Sequence, residues 1–348
     1  MSDFFRNLVE QLKDEDTNIA FDGLGSAEYT GCIDTGCYIL NAVMSGSLYG
    51  GVPNNKITAF AGEPATGKTF FVLNIVRSFL EANPTGGVVY YDTEAAVTKQ
   101  MMEARGIDTS RVIISEPDTI QKFRHHALKL LDAYIETPVN KRPPMIFVLD
   151  SLGQLSTTKE MEDSTEGKET KDMTKAATIK AAFRVLTLKC AKAGVPMLVT
   201  NHVYASVGAY IPTNEIAGGS GLKYSASTIA MLSKKKDKDG TDVIGNIIKV
   251  KMYKSRLSKE NAQVEVKLSY EKGLDRYYGL LDLAEKYKII NKVTTRYELP
   301  DGSKVFGKEI NAHPEKYFTE TIMEQLEEAA KKEFSYGVQG DSSDDEVE

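Results

Sequence analysis

The sequence predicts an α/β protein with a mostly parallel central sheet covered by helices and antiparallel strands added to it. Three observations predict it. Short apolar runs alternate with longer helical stretches between residues 33 and 201. A phosphate-loop pattern, GxxxxGK[ST], lies where one such strand gives way to a helix. After residue 224 the alternation stops and three strand-like runs follow one another directly.

At the start of the chain, Phe4, Phe5, Leu8, Val9 and Leu12 fall at helical spacing, with Ser2 and Asp3 as caps. Residues 1–30 are therefore read as a helical segment whose apolar stripe packs either on its own domain or on another copy. Strands are expected at 56–61, 87–92, 111–115, 145–150 and 196–201, and helices at 68–81, 121–136 and 174–193. Residues 145–150 are almost continuously apolar, as a strand buried on both faces should be. Further strands are expected at 226–232, 243–252 and 262–268, the first two joined by a polar turn at 234–240. These elements define a core at 31–272. A smaller helical and mixed segment at 273–336 follows, then a tail at 337–348 whose last eight residues hold five acids and no base, a composition of disordered segments.

Composition narrows the function classes. Of the 348 residues, 41% are apolar and 26% charged, which excludes disorder as the main state. Nothing approaches the roughly 20 apolar residues of a membrane span, and residues 1–13 lack the apolar centre of a signal peptide. Cys32, Cys37 and Cys190 form no CxxC pair and read as a reduced, cytosolic set, so a cytoplasmic location is expected. A net charge of −6 argues against coating nucleic acid by bulk electrostatics.

The phosphate loop is Gly62, Glu63, Pro64, Ala65, Thr66, Gly67, Lys68 and Thr69. Its glycines let backbone N–H groups converge on phosphate oxygens, Lys68 adds a point charge at the β and γ phosphates, and the Thr69 hydroxyl is placed to ligate Mg²⁺. The helix opening at Lys68 aims its positive end at the same anion. Asp150 ends a buried strand, where a phosphate-loop protein holds Mg²⁺. Alone it would also read as a turn cap. Glu94, in the loop after residues 87–92, is near the γ-phosphate and suited to orient or deprotonate water. Asp92 reads equally as a loop cap.

These elements, in this order, resemble the RecA family of recombinases. The approach Ile33-Asp34-Thr35-Gly36, Gly50-Gly51-Val52-Pro53, then Tyr91-Asp92-Thr93-Glu94, Asp150-Ser151-Leu152-Gly153, Thr200-Asn201-His202 and the segment 218–224 carry the resemblance. It is closest to the UvsX-type branch of T4-like phages, through Asn201-His202 and Lys254-Ser255-Arg256. It covers roughly residues 30–290 and implies a RecA-like core. It implies an ATP-dependent, Mg²⁺-requiring recombinase that polymerises as a helical filament on single-stranded DNA, pairs it with a homologous duplex and exchanges strands. A recombination mediator and a single-strand-binding protein are implied as partners, and a host-cell cytoplasmic location if the chain is phage-encoded.

By the same resemblance, Lys68 and Thr69 are phosphate and Mg²⁺ contacts, Glu94 the general base and Asp150 the Mg²⁺-associated acid. His202 stands at the γ-phosphate sensor position, often Gln. A strand-end core histidine is the plainer reading. Lys254 and Arg256 match basic residues that reach the ATP of a neighbouring protomer, against the plainer reading of a solvated edge. Tyr278 resembles an aromatic beside the nucleotide base. Met101 departs from the family, which often places an adenine-contacting Tyr there. DNA contacts are expected from two polar loops, 155–171 and 203–221. They carry Lys168, Tyr204, Tyr210, Gly218 and Gly219, and the intervening helix adds Lys175, Lys180 and Arg184, which otherwise read as a solvated helix face. The alternatives are a RecA-fold hexameric helicase, an ATP-gated DNA-binding scaffold and, remotely, a small-molecule kinase.

Overall fold

The computed structural model describes residues 3–12, 17–20, 25, 28–168, 172–205 and 214–337. Its centre is a ten-stranded sheet. Labelled in chain order, the strands are β1 (Ile57–Gly62), β2 (Gly87–Asp92), β3 (Val112–Ser115), β4 (Met145–Asp150), β5 (Met197–Ala205), β6 (Asn214–Ile216), β7 (Thr228–Asp239), β8 (Asp242–Ser255), β9 (Gln263–Ser269) and β10 (Gly273–Leu274). They lie in the order β10-β9-β8-β7-β1-β5-β4-β2-β3, with β6 paired to β5. The strands β7, β1, β5, β4, β2 and β3 are parallel, and β8, β9 and β10 extend the sheet antiparallel.

Both faces are covered at the centre of the parallel part, and β1, β2 and β4 are buried nearly throughout, which is why those strands are nearly all apolar. Along β1 the pleat sends Phe60 into one hydrophobic cluster and Ile57, Ala59 and Ala61 into the other. Besides short helices at Lys99–Glu103, Gly307–Ala312 and Pro314–Tyr317, the described residues form α1 (Asp3–Leu12), α2 (Tyr38–Ser45), α3 (Lys68–Ala82), α4 (Ile120–Glu136), α5 (Thr158–Thr165), α6 (Lys175–Ala193), α7 (Ser220–Ser225), α8 (Leu280–Lys286) and α9 (Glu320–Phe334). On one face, α3 places Phe71, Val72 and Ile75 in a cluster shared with Val43 of α2, Leu280 of α8 and Leu326 of α9. On the other, Phe123 of α4 and Phe183 of α6 pack against Tyr91 and Phe147. A three-stranded antiparallel sheet follows, formed by Asn291–Val293, Arg296–Glu298 and Lys304–Phe306.

Three expectations are corrected. The expected turn at 234–240 is strand. β7 runs to Asp239 and pairs with β8 along its whole length, the turn falling at Gly240 and Thr241. Cross-strand ion pairs tie the charged run into the ladder, Lys235 to Glu265 at 2.8 Å and Asp237 to Lys267 at 2.8 Å. The first polar loop contains α5, nucleated by a capping box: Thr157 Oγ1 accepts from Glu160 N at 3.1 Å, and Glu160 Oε2 accepts from Thr157 N at 3.0 Å. The second loop is shorter than the 19 residues expected, because β5 continues to Ala205, β6 returns antiparallel from Asn214 and α7 starts at Ser220. Tyr210 lies outside the described residues, as does the tail from residue 338. The N-terminal stripe forms α1 as expected, with Phe4, Phe5, Leu8 and Leu12 between 41% and 63% exposed. The three cysteines are free.

Candidate nucleotide-binding and hydrolysis site

Strand register brings the site together. In a doubly wound parallel sheet, the crevice beyond the carboxyl ends of the strands binds ligands. Here Gly62 is level with His202, and Asp92 with Asp150. The loop leaving β1 reaches α3 through Gly67, whose φ of 88° is left-handed and whose added Cβ would stand 3.2 Å from Ile248 Cδ1 and Leu268 Cδ2. Only glycine meets both demands, so the turn into α3 is set by the sequence itself. Lys68 folds over the loop, donating from Nζ to Gly62 O at 3.0 Å and Glu63 O at 2.9 Å. An ammonium has three donors, so one remains for a ligand. Burial pulls the Lys68 amine below its ordinary value, an effect opposed by the charges of Glu94 and Asp150. Lys234 on β7 donates to Ala65 O at 2.7 Å, pinning the crown of the loop.

Asp150 is 4% exposed. A buried carboxylate needs donors, and among the described residues Tyr90 OH at 2.8 Å to Oδ2 and Thr200 Oγ1 to Oδ1 supply them. Burial and the adjoining Asp150 carboxylate push the Tyr90 phenol well above its ordinary value, so it stays a donor. Thr93 clamps the two strand ends, donating from N to Asp150 O at 2.8 Å and from Oγ1 to Ser151 O at 2.7 Å. Asp92 accepts from the N–H groups of Glu94 and Val97 at 3.0 Å each. Its cap role is thereby the observed one, and it orients the next acid.

Glu94 Oε1 accepts from Ser151 Oγ at 2.7 Å and from His202 Nε2 at 3.1 Å. The Glu94 and His202 side chains are 31% and 19% exposed, buried enough to be held and open enough to be reached. A cleft of about 280 Å³ is lined by Pro64, Ala65, Gly67, Lys68, Thr69, Glu94, Asp150 and His202, together with Phe70, Leu73, Met101 and Arg105. Among the described residues no cluster of three or more His, Cys, Asp or Glu forms a protein cage for a metal.

Residues 16–275 match the RecA N-terminal domain family. The chain belongs to the RecA family. It is similar to the recombination and repair protein of Enterobacteria phage T4, 31% identical over 246 residues that cover 71% of this chain and 61% of that protein. It is also similar to protein RecA of Francisella philomiragia subsp. philomiragia, 30% identical over 288 residues, 80% of this chain and 74% of that one. The crystal structure of the RadB recombinase aligns with a TM-score of 0.49 at 21% identity, over 70% of this chain and 99% of that one. The chain thus spans less than two thirds of the phage relative.

In this RecA-family chain, Lys254 and Arg256 stand away from the cleft. Lys254 is level with Ile229 and through it with Ala59, and Ser255 with Thr228 and Thr58, at the end of the sheet opposite the phosphate loop. Lys254 Nζ donates to Lys223 O at 2.7 Å and Tyr224 O at 3.1 Å, and burial together with Arg256 lowers its amine below the ordinary value. Arg256 is exposed. Tyr278 is half-buried near Glu265 and Asp282 and does not line the cleft.

The residues expected at DNA lie on α6 and its flanks without sharing one helix face, since Lys175 and Arg184 are nine residues apart and point in opposite directions. Lys168 pairs with Glu166, Lys175 with Glu160 at 3.1 Å, Lys180 Nζ sits 5.8 Å from the Tyr224 ring centroid, and Arg184 and Tyr204 are exposed. Gly218 and Gly219 let the chain pass close over α6, since an added Cβ would meet Ile179 Cδ1 at 2.9 Å and Ala176 Cβ at 3.1 Å. Sequence reasoning missed the support of Ser151, Tyr90 and Thr200 and the wall residue Arg105. Ser151 was within reach, as the residue following the strand-end acid.

Proposed function

We propose that this chain is an ATP-dependent DNA recombinase that polymerises on single-stranded DNA as a helical filament and catalyses homologous pairing and strand exchange. The observation that carries the reading is the split site. Phosphate loop, Asp150, Glu94 and His202 converge on one cleft, while Lys254 and Arg256 stand at the opposite end of the same sheet. Those two cations serve a neighbouring copy's triphosphate, and a head-to-tail contact that does not close gives an open helix. ATP at such a seam couples assembly to nucleotide state.

Lys68 and the loop N–H groups hold the β and γ phosphates. Glu94, held through Ser151, Asp92 and His202, orients the attacking water and takes its proton, and His202 Nε2 is the donor placed to exchange Glu94 for a phosphate oxygen. The donor set suits a hard cation: the Thr69 hydroxyl and the Asp150 carboxylate are oxygen ligands on one cleft, and they would hold Mg²⁺ beside the nucleotide. Bound there, Mg²⁺ supplies neutralisation of charge on the phosphates. Charge from Lys254 and Arg256 of the next copy completes the stabilisation.

Single-stranded DNA runs over α6 past Lys168, Lys175, Lys180, Arg184, Tyr204 and the 218–219 turn, by phosphate contacts and stacking without base readout. Residues 1–30 form the oligomerisation segment, 31–272 the ATPase core, 273–336 a small C-terminal domain and 337–348 an acidic tail. A mediator, a single-strand-binding protein and duplex DNA are the proposed partners, and the cytoplasm the proposed location. Among the described residues no helix is long and apolar enough to cross a membrane. The test is ATP turnover with and without single-stranded DNA, with electron microscopy of the product. Stimulated turnover on open filaments supports the reading, closed rings favour a helicase, and unstimulated turnover by isolated particles overturns it.

A further inference from the structure

Besides the phosphate loop, Asp150, Glu94 and His202, the cleft is lined by Phe70, Leu73, Met101 and Arg105, the last a charged side chain among apolar ones. Arg105 follows the short helix Lys99–Glu103. Its guanidinium lies over the Phe70 ring, 4.7 Å from the centroid, and Nη1 donates to Met101 O at 2.8 Å. Nε is buried and has no hydrogen-bond partner among the described residues. Arg105 and Phe70 also line a second hollow of about 340 Å³ with Asn74, Arg77, Tyr270, Glu271 and Gly273. The pair is a partition between two spaces.

Phe70 is the residue after Thr69. The partition therefore adjoins the phosphate grip in the chain, and Phe70, Met101 and Arg105 line the same cleft as Lys68 and Thr69. Resting on the reading of the cleft as an ATP site, we propose that Arg105 is the base-recognising residue of this protein. Phe70 takes one face of the guanidinium and Met101 O takes one N–H. The opposite face is the planar, cationic surface on which a heteroaromatic base stacks, as arginine does on aromatic planes generally. Met101 supplies a polarisable flank but no plane of its own. A purine offers a larger π-face than a pyrimidine, so the platform selects ATP and GTP over CTP. It draws nothing from the triphosphate, which Lys68 and the loop N–H groups hold.

The experiment is calorimetric titration of the full-length chain, without DNA, with three probes: ATP, CTP and inorganic tripolyphosphate. The variants are Arg105→Ala and Arg105→Lys. Expected is a loss of about tenfold in ATP affinity in Arg105→Ala, the order of a partly desolvated cation–π contact. Tripolyphosphate affinity should be unchanged, which doubles as the control for an intact fold, and the ATP-to-CTP ratio should collapse toward one. Arg105→Lys keeps the charge but not the plane and should lose most of the same discrimination. Equal weakening of ATP and tripolyphosphate, or an ATP-to-CTP ratio unaltered in both variants, overturns the role of Arg105 and leaves the cleft assignment standing. A wild-type chain that binds neither ATP nor tripolyphosphate overturns both.

Discussion

Replacing Glu94 by Gln separates chemistry from binding in this site. The amide is nearly isosteric with the carboxylate, and its carbonyl still accepts from Ser151 Oγ and His202 Nε2, which stand 2.7 and 3.1 Å from Glu94 Oε1. The Asp92 contact is to the backbone N–H of Glu94 and is untouched. What disappears is the negative charge and the basic oxygen. Loss of a positioned base costs about 10²–10⁴ in rate. At 1.36 kcal/mol per decade that is about 2.7–5.4 kcal/mol of barrier. Lys68 also loses one of the two carboxylates that support its charge against burial, so its amine should titrate still lower. Nucleotide binding near neutral pH should persist, because Asp150 and both loop carbonyls still hold the ammonium. The assay pairs DNA-stimulated phosphate release with ATP titration calorimetry. Turnover within threefold of the parent chain would refute Glu94 as the base. Loss of ATP binding together with turnover would instead make it a structural support of the loop.

Other consequences follow from the same geometry. Tyr90→Phe removes a 2.8 Å donor from buried Asp150, and chemical denaturation should show a loss of about 1–3 kcal/mol, whereas an unchanged midpoint would show that the carboxylate finds another partner. Deleting residues 1–15 removes the exposed apolar face of α1 and should abolish filaments while leaving a folded monomer, which sedimentation reads directly. Removing residues 341–348 should tighten DNA binding at low salt, since five acids no longer compete for the basic track, and identical affinities would dismiss the competition. Burial opposes ionisation of Asp34, but hydrogen bonds from Asn41, Gly36 and Arg276 outweigh it and hold the carboxyl below its ordinary value. Its stabilisation is therefore present above the ordinary carboxylate range and lost as pH falls through the lowered value. Arg276→Met should flatten that acid limb, by less than about 1 kcal/mol because the pair is partly exposed.

The legible parts of this molecule are those whose physics is local. The phosphate loop announces itself because a left-handed turn at Gly67, an ammonium and a hydroxyl must be adjacent in the chain. Asp150 and Glu94 could be found because a buried strand hands its last residue to the rim of a parallel sheet. The partners of those acids could not be. Tyr90, Thr200 and His202 reach them across strands 50 to 108 residues distant, and only register decides that they meet. Arg105 was hidden for the same reason, since its ring partner Phe70 lies on another element. The charged run at 234–238 looked like a turn because its ion-pair partners, Glu265 for Lys235 and Lys267 for Asp237, come from a strand two places away in the sheet. Helix α5 was legible in principle: Thr157 and Glu160 have the spacing of a capping box within the polar stretch.

The central claim is that the hydrolysis site is completed by the next copy in the filament, and mixing two inactive variants tests it most directly. Glu94→Gln keeps Lys254 and Arg256 but cannot hydrolyse, and the double variant Lys254→Ala, Arg256→Ala keeps a whole cleft but lacks the incoming charge. Mixed in equal amounts on single-stranded DNA, they should regain turnover at roughly a quarter of the seams, the fraction that pairs an intact cleft with an intact donor in a random head-to-tail polymer. Turnover in the mixture no greater than the sum of the two alone would contradict a shared site.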